Sequence, residues 1–264
     1  MRRYQLVELE DLPWFPRSIR DAGTDYLQFA WQAVRPWQAI ASKLVPALAA
    51  TGDRRLVDLG AGGGGPWRGL LPVLQQAYPD LQVTLTDRYP NLAAWQTIQQ
   101  DFPPAVHTWP DSVAAAAVPP TLAGFRTVFA ALHHFPPSEA RAILADAVRQ
   151  RQGIAAFEAG QRRPLALLAI LFAPTLAYLL TPFMRPFRWS RLFWTYVIPA
   201  GPFIVLWDGL VSTLRMYTPA ELRDLTVGLA DDYVWDSGEV PIPYSPIPMT
   251  YLMGYPASIR QEDA

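Results

Sequence analysis

Residues 55–65 read RLVDLGAGGGG, an apolar run that ends in a glycine-rich turn. The apolar part predicts a buried β-strand over 55–59, and the glycines from Gly60 to Gly65 break it sharply. The helix that follows carries its apolar residues on one face: Leu70, Leu71, Val73 and Leu74. Glycines between a strand and a helix let a ligand approach the backbone closely, so this turn is a candidate binding site.

Strands and helices continue to alternate along the chain. The predicted strands are 55–59, 82–86, 105–108, 126–132 and 153–157. Asn91 is expected to cap a helix to about Gln100, and Ser138 one over 139–150. This alternation predicts a parallel sheet with helices on both faces. Ligands of such sheets bind beyond the carboxyl ends of the strands, where four candidate side chains lie: Asp58, Asp87, His133 and Glu158.

The composition excludes several classes of function. A chain of 264 residues fits one α/β domain with an insertion. A formal charge of −1 argues against nucleic acid as the main partner. No cysteine is present, which excludes disulfides, thiolate metal sites and a cysteine nucleophile, and with only three histidines we expect no metal. The N-terminus has two arginines but no apolar segment behind them, so we expect a cytoplasmic protein.

The glycine turn satisfies two different nucleotide-binding patterns. Gly60, Gly62 and Gly65 fit the dinucleotide pattern G-x-G-x-x-G, whereas Asp58 with the first two glycines fits D-x-G-x-G. A carboxylate at Asp58 would repel a pyrophosphate and would favour a sulfonium that carries an ammonium group. Asp87, at the end of the next strand, can accept both hydroxyls of a ribose. These carboxylates favour a cationic nucleoside.

Three stretches of this sequence resemble the class I S-adenosylmethionine-dependent methyltransferases: VDLGAGGGG, TLTD and FRTVFAALHHF. The resemblance covers residues 52–160 well and 218–255 more loosely, through two closing strands predicted over 232–236 and 248–254. It implies a Rossmann-like α/β fold, a seven-stranded, mostly parallel sheet with helices on both faces. An N-terminal helical segment and an apolar helical insertion before the last helix would be added to this core.

The resemblance also implies S-adenosylmethionine as cofactor, S-adenosylhomocysteine as product and a small-molecule acceptor. The methionine part would be held at the glycine turn, by Asp58, Gly60, Ala61, Gly62 and Gly64. Asp87 would hold the ribose, and Asp111 and Ser112 would lie near the adenine.

A general base is needed only if the acceptor must lose a proton, and His133, His134 and Glu158 are the candidates. His134 is the preferred base because it lies one residue further from the strand, although either histidine could instead pack or bind backbone. Glu158 could orient the acceptor or bind the histidine turn. His107 lies in a short strand, and we expect a structural role for it.

Four segments are expected along the chain: an N-terminal helical lid (1–50), the cofactor-binding core (51–160), an apolar helical insertion (161–217), and the last helix with a strand hairpin (218–264). Thr218 should cap that last helix. Four polar or aromatic residues end the insertion and are candidates for binding the acceptor: Trp207, Asp208, Arg215 and Tyr217. Asp208 and Arg215 share a helix face, and the alternative is that they pair with each other.

The insertion is apolar enough over 164–206 to contact a membrane. It either roofs an acceptor pocket, dips into one leaflet at the inner face of the membrane, or forms a dimer interface; the sequence does not fix the oligomeric state. The first two alternatives favour an apolar acceptor such as a lipid, a quinone or a natural product. Two other functions remain open, an NAD(P)-dependent oxidoreductase and a membrane-associated protein of this fold without turnover.

Overall fold

The computed structural model describes residues 1–184 and 187–257. Its centre is a seven-stranded sheet in the order β3-β2-β1-β4-β5-β7-β6. The strands are β1 (Arg55–Leu59), β2 (Gln82–Thr86), β3 (Val106–Thr108), β4 (Phe125–Phe129), β5 (Ile154–Glu158), β6 (Tyr233–Val240) and β7 (Met249–Pro256). Strands β1 to β5 are parallel, and β7 runs antiparallel between β5 and β6. The predicted sheet is therefore confirmed.

Ten α-helices lie among the described residues. They are α1 (Arg17–Val34), α2 (Trp37–Thr51), α3 (Trp67–Leu74), α4 (Leu92–Asp101), α5 (Pro137–Arg149), α6 (Pro164–Leu171), α7 (Ala173–Leu180), α8 (Trp189–Leu192), α9 (Ala200–Arg215) and α10 (Pro219–Thr226). A π-helical turn, Phe193–Val197, follows α8. Short 3₁₀ turns form at Leu9–Asp11, Leu132–His134 and Thr181–Phe183.

Alternating side chains of the strands build two apolar layers, one on each face of the sheet. In β1, Leu56 packs with residues of α2 and α3, whereas Val57 and Leu59 pack with residues of α5 and α10. This two-layer core fixes the carboxyl ends of β1, β2, β4 and β5 at one edge, where the candidate side chains were expected.

Two local predictions were wrong, and two predicted helix caps were confirmed. Asn91 caps α4, because its side chain accepts the backbone N–H of Ala94. Strand β4 ends at Phe129 rather than at residue 132, because Ala130 adopts a positive φ of 48° that interrupts the extended backbone. Helix α5 begins at Pro137 rather than after a Ser138 cap, since proline already has the φ of a first helical residue. Thr218 does cap α10, in a capping box with Glu221.

The predicted insertion is a helical hairpin that stands on the sheet. Helices α6 and α7 form one arm, and α9 packs along both as the other arm. Between the arms lie α8 and the π-turn, which we call the tip. Helix α1 packs against α8 and α9, and its Asp25 pairs with Arg191. The two ends of the hairpin meet, because a Cβ on Gly160 would lie 2.9 Å from Met216. We call residues 160–216, without the undescribed 185 and 186, the hairpin.

Candidate active site

The glycine turn after β1 has the backbone conformation that its composition predicts. Gly60, Gly62, Gly64 and Gly65 have φ of 74°, 49°, 107° and 52°, a region that residues with a Cβ rarely adopt. Two of these glycines differ in their surroundings. A Cβ on Gly64 would lie 2.0 Å from Cδ1 of Ile98, whereas a Cβ on Gly62 would meet nothing within 4 Å. The turn is thus packed on one side and open at Gly62.

Asp58 lies beneath this turn and is only 1% exposed. Its Oδ1 accepts a hydrogen bond of 2.9 Å from the Thr127 hydroxyl, and its Oδ2 one of 2.8 Å from the indole N–H of Trp67. The pKa of Asp58 is raised to about 7, mainly by burial and to a smaller extent by the nearby charge of Asp87, while the two hydrogen bonds oppose the shift. The side chain was expected inside an open pocket, and the structure places it below the turn instead. Its charge, rather than an uncommitted oxygen, is what it offers a ligand.

Asp87 lies at the end of β2 and holds the turn from the neighbouring strand. Its Oδ2 accepts a hydrogen bond of 2.9 Å from the backbone N–H of Gly62, and its Oδ1 one of 2.7 Å from that of Tyr89. Burial raises the pKa of Asp87, against those backbone bonds, which lower it. Ala61 is buried and donates its N–H to the carbonyl of Thr86, which ties β1 to β2 at the same level.

Asp111 and Ser112 lie on an exposed loop beside this strand end. The loop is held there because the N–H of Val113 bonds to the carbonyl of Asp87 at 2.9 Å, and the Ser112 hydroxyl bonds to the carbonyl of Arg88 at 2.7 Å. Both residues therefore flank Asp87 on the side away from the glycine turn.

His133 and Glu158 form a buried pair at the ends of β4 and β5. Nδ1 of His133 lies 2.7 Å from Oε2 of Glu158, whose Oε1 accepts the backbone N–H of His133 at 3.2 Å. The carboxylate thus fixes the ring, and in a neutral imidazole it favours the proton on Nδ1 and the lone pair on Nε2. Nε2 faces the carboxylate of Glu8 at 3.8 Å, beyond hydrogen-bond distance.

His134 has a different environment from His133, although their ring centroids are only 4.4 Å apart. Its Nδ1 lies 2.8 Å from Oδ1 of Asp11 and 3.6 Å from Oε2 of Glu8. Burial lowers the pKa of His134, but the hydrogen bond to Asp11 and the charges of Glu8 and Asp11 outweigh it and raise the pKa to about 10. His134 is therefore protonated at neutral pH.

The N-terminal residues 3–11, which we call the strap, lie across the two histidines. Asp208 accepts the backbone N–H of Leu9 at 2.7 Å and that of Glu10 at 3.2 Å. Arg215 donates to Oε1 of Glu8 at 2.9 Å and to the carbonyl of Leu6 at 2.7 Å. The alternative in which Asp208 and Arg215 pair with each other was wrong, because each binds the strap.

The other two residues predicted to bind the acceptor, Trp207 and Tyr217, also contact the strap or its neighbours. The Trp207 indole donates to the carbonyl of Val7 at 3.2 Å. The Tyr217 hydroxyl donates to the carbonyl of Phe135 at 2.7 Å, and the guanidinium of Arg3 lies 4.1 Å from the centre of its ring. Arg3 in turn donates to the carbonyls of His133 and Phe135. These contacts hold the strap in place over the β4 end.

The strap brings a carboxylate to two imidazoles, an arrangement that a metal ion could use. Ligand atoms of Glu8, His133 and His134 lie within 4.8 Å of one another. Arg215 and protonated His134 already lie beside Glu8 and Asp11, and Asp11 accepts from Arg215 at 2.7 Å. We call these five residues the strap cluster. The carboxylates of Glu8 and Asp11 thus already have cationic partners.

Glu8 and Asp11 are the residues of the candidate site that sequence reasoning missed. Glu8 is fully buried, and its Oε2 accepts no hydrogen bond among the described residues. The signal was the acidic run ELED over residues 8–11, followed directly by the aromatic LPWF. Nothing in that run specifies that it reaches a histidine pair more than a hundred residues away along the chain.

No family model matches the sequence, and no curated protein matches it. Solved structures do match its fold. One is an O-methyltransferase, NcsB1, from neocarzinostatin biosynthesis, in complex with S-adenosylmethionine and 2-hydroxy-5-methyl naphthoic acid; it has a TM-score of 0.53 and 17% identity over 91% of this chain. Another is human N-acetylserotonin methyltransferase with S-adenosylmethionine, with a TM-score of 0.53 and 15% identity over 91% of this chain. The chain spans 58% and 56% of those two proteins.

Proposed function

We propose that this chain, which has the fold of the class I methyltransferases, transfers a methyl group from S-adenosylmethionine to a hydroxyl of a small, apolar acceptor. The proposal rests on the side chains and the turn that lie together at one edge of the sheet. There the open glycine turn and Asp87 lie at the ends of β1 and β2, and the His133–Glu158 pair lies at the ends of β4 and β5. A binding site and a candidate base therefore share one edge.

The residues at the turn fit the cofactor. Open space over Gly62 lets a ligand approach the turn without meeting a side chain, and Asp87 presents two carboxylate oxygens that have further lone pairs for ribose hydroxyls. The ionised form of Asp58 places a negative charge under the turn, which suits the ammonium and sulfonium groups. Asp111 and Ser112 would border the adenine. The bound cofactor supplies an electrophilic methyl group on sulfur.

The His133–Glu158 pair would serve as the general base. Nε2 of His133 would take the proton of the acceptor hydroxyl, and Glu158 would hold the ring and stabilise the imidazolium. Glu8, at 3.8 Å from Nε2, would add a second negative charge beside that imidazolium. Aligning the acceptor with the methyl group in a site closed by the strap can lower the activation free energy by roughly 7–11 kcal/mol.

His134, the preferred base of the sequence analysis, is a weaker candidate. A pKa of about 10 means that it already carries its proton at neutral pH, so it cannot accept another from a substrate. Its role would be to hold the strap through Asp11. Asp208, Arg215, Trp207 and Tyr217 would likewise contribute by fixing the strap and its surroundings.

The nature of the acceptor is argued from the surroundings of the site. The strap borders the apolar hairpin, and the NcsB1 structure named above contains a naphthoic acid acceptor. An apolar molecule with an ionisable hydroxyl fits both observations. An NAD(P)-dependent oxidoreductase fits less well, because its pyrophosphate would lie between Asp58 and Asp87.

The experiment that tests the proposal is methyl transfer from S-adenosylmethionine with a labelled methyl group to a panel of naphthols and other phenols. We expect label in the organic extract with the wild-type protein, and about 10²–10⁴-fold less with His133→Ala. His107→Ala is the matched control, because His107 is an exposed residue of β3 and should leave the rate unchanged. Equal rates for both variants, or no transfer to any acceptor, would contradict the proposal.

A further inference from the structure

The first two helices of the hairpin, α6 and α7, bury small residues and expose large ones. Among α6, α7 and the 3₁₀ turn that follows, the buried side chains are Ala166, Ala173, Ala177 and Thr181. The exposed ones include Leu168 at 53%, Phe172 at 61%, Leu179 at 64% and Phe183 at 71%. In a helix that faces water the large apolar side chains turn inward. Small residues at the helix contact and large apolar ones outside are instead typical of helices in lipid.

The exposed apolar surface continues around the tip of the hairpin. Trp189 is 77% exposed, Val197 68%, and Phe187 and Tyr196 47% each. Contiguous apolar patches of this extent on a folded protein mark an interaction surface. The aromatic residues fit the boundary between lipid headgroups and acyl chains, where tryptophan and tyrosine are enriched.

The charges of the same segment favour an anionic surface. Residues 159–207 contain five arginines and no acidic residue, in a chain whose formal charge is −1. Arg163, at the base of the hairpin, is 56% exposed and pairs with Glu239, and Arg188, near its tip, is 35% exposed and pairs with Asp25 of α1. Basic side chains beside an apolar surface attract anionic phospholipids.

The topology decides how the hairpin can enter a bilayer. The helical stretch Pro164–Phe183 has 20 residues and a mean hydropathy of 2.0, so it is long and apolar enough to cross a membrane. Only 22% of its most apolar window is buried inside the protein. A second candidate, α8 with the π-turn and α9, is bent by 83° at its break. Both ends of the hairpin are held at the sheet, where Gly160 meets Met216. The hairpin therefore enters and leaves on the same side.

We propose that the hairpin is a monotopic membrane anchor, which inserts its apolar surface into one leaflet of a bilayer that contains anionic phospholipid. Asp208 and Arg215 of α9 link this anchor to the strap. Docking depends on the hairpin alone and does not require methyl transfer.

The test is sedimentation of the full chain with vesicles of phosphatidylcholine and phosphatidylglycerol. We expect the wild-type protein to sediment with the vesicles, and less with pure phosphatidylcholine. Phe183→Ser with Trp189→Ser should weaken vesicle partitioning by about tenfold for each side chain removed. The matched control is Val227→Ser with Tyr244→Ser, which removes side chains that are 69% and 82% exposed outside the hairpin and should partition as the wild type does.

Three outcomes would overturn the anchor. The wild-type protein could stay in the supernatant with anionic vesicles, the control pair could lose binding as much as the tip pair, or the protein could form a dimer that the tip pair dissociates, without any vesicle binding. Circular dichroism and cooperative unfolding check that both variants fold. A failure to bind S-adenosylhomocysteine would contradict the proposed function and leave the vesicle result standing.

Discussion

Asp58→Asn should make the protein more stable and weaken its binding of the cofactor at the same time. Asparagine has the shape of the aspartate and can keep both buried hydrogen bonds. Its carbonyl oxygen can accept from Trp67, and its amide can donate to the hydroxyl of Thr127. The substitution therefore removes a buried charge and little else.

The size of the stabilisation follows from the pKa of Asp58. Its rise from 3.8 to about 7 corresponds to about 4 kcal/mol at most, at 1.36 kcal/mol per unit. Between about pH 4 and pH 7 the folded protein keeps this proton while the unfolded chain has lost it, so wild-type stability falls as the pH rises through that window. The variant lacks this loss. Its advantage should be near zero at pH 4 and reach its full size at pH 8.

Two measurements on the same samples test this reasoning. Denaturant unfolding at pH 5 and pH 8 gives the difference in the free energy of unfolding, and calorimetric titration at pH 8 gives the affinity for S-adenosylhomocysteine. We expect higher stability at pH 8 and about tenfold weaker binding, the effect of losing about 1.4 kcal/mol of charge interaction with the ammonium group. A variant that is less stable than the wild type at pH 8, or that binds equally tightly, would refute the reasoning.

Three further predictions concern the turn, the base and the strap cluster. Glu158→Gln should lower kcat by about 10²-fold or more at an unchanged KM for the cofactor, because an amide cannot stabilise the imidazolium of His133; a steady-state assay that shows an unchanged kcat would argue against the base. Gly64→Ala should destabilise the fold by about 2–4 kcal/mol, from its positive φ and from the contact with Ile98. Adding Ile98→Val to this variant should recover only the part of the stability that the contact with Ile98 costs. A double variant that unfolds at the same temperature as the wild type would show that the positive φ contributes nothing. Treatment with a chelator should leave the rate of methyl transfer unchanged, because Glu8 and Asp11 already have cationic partners in Arg215 and His134; loss of activity that zinc or manganese restores would reveal a metal site.

The sheet and its binding edge could be predicted because they follow from local patterns. The run from Arg55 to Gly65 contains its own strand, break and turn, and Asp87 and Glu158 end apolar strands of ordinary length. The end of β4 could not be placed, because FAAL continues the apolar pattern while Ala130 turns to a positive φ. Apolar periodicity carries no information about such a turn.

The strap was beyond prediction for a different reason. Asp208 and Arg215 share a helix face, so a pair within the helix was the nearest partner that the sequence offered. Their actual partners, Leu9 and Glu8, are about 200 residues away along the chain, and only the folded sheet brings them together. The strap also brings Asp11 and Glu8 to His134, which raises the pKa of His134 to about 10 and favours His133 as the candidate base.

The most direct test of the account is a calorimetric titration of the wild-type protein with S-adenosylhomocysteine and, separately, with NADH. The glycine turn between Asp58 and Asp87 predicts saturable binding of S-adenosylhomocysteine at one site per chain, and no heat of binding from NADH beyond dilution. Binding of NADH with no response to S-adenosylhomocysteine would contradict the assignment of this edge of the sheet.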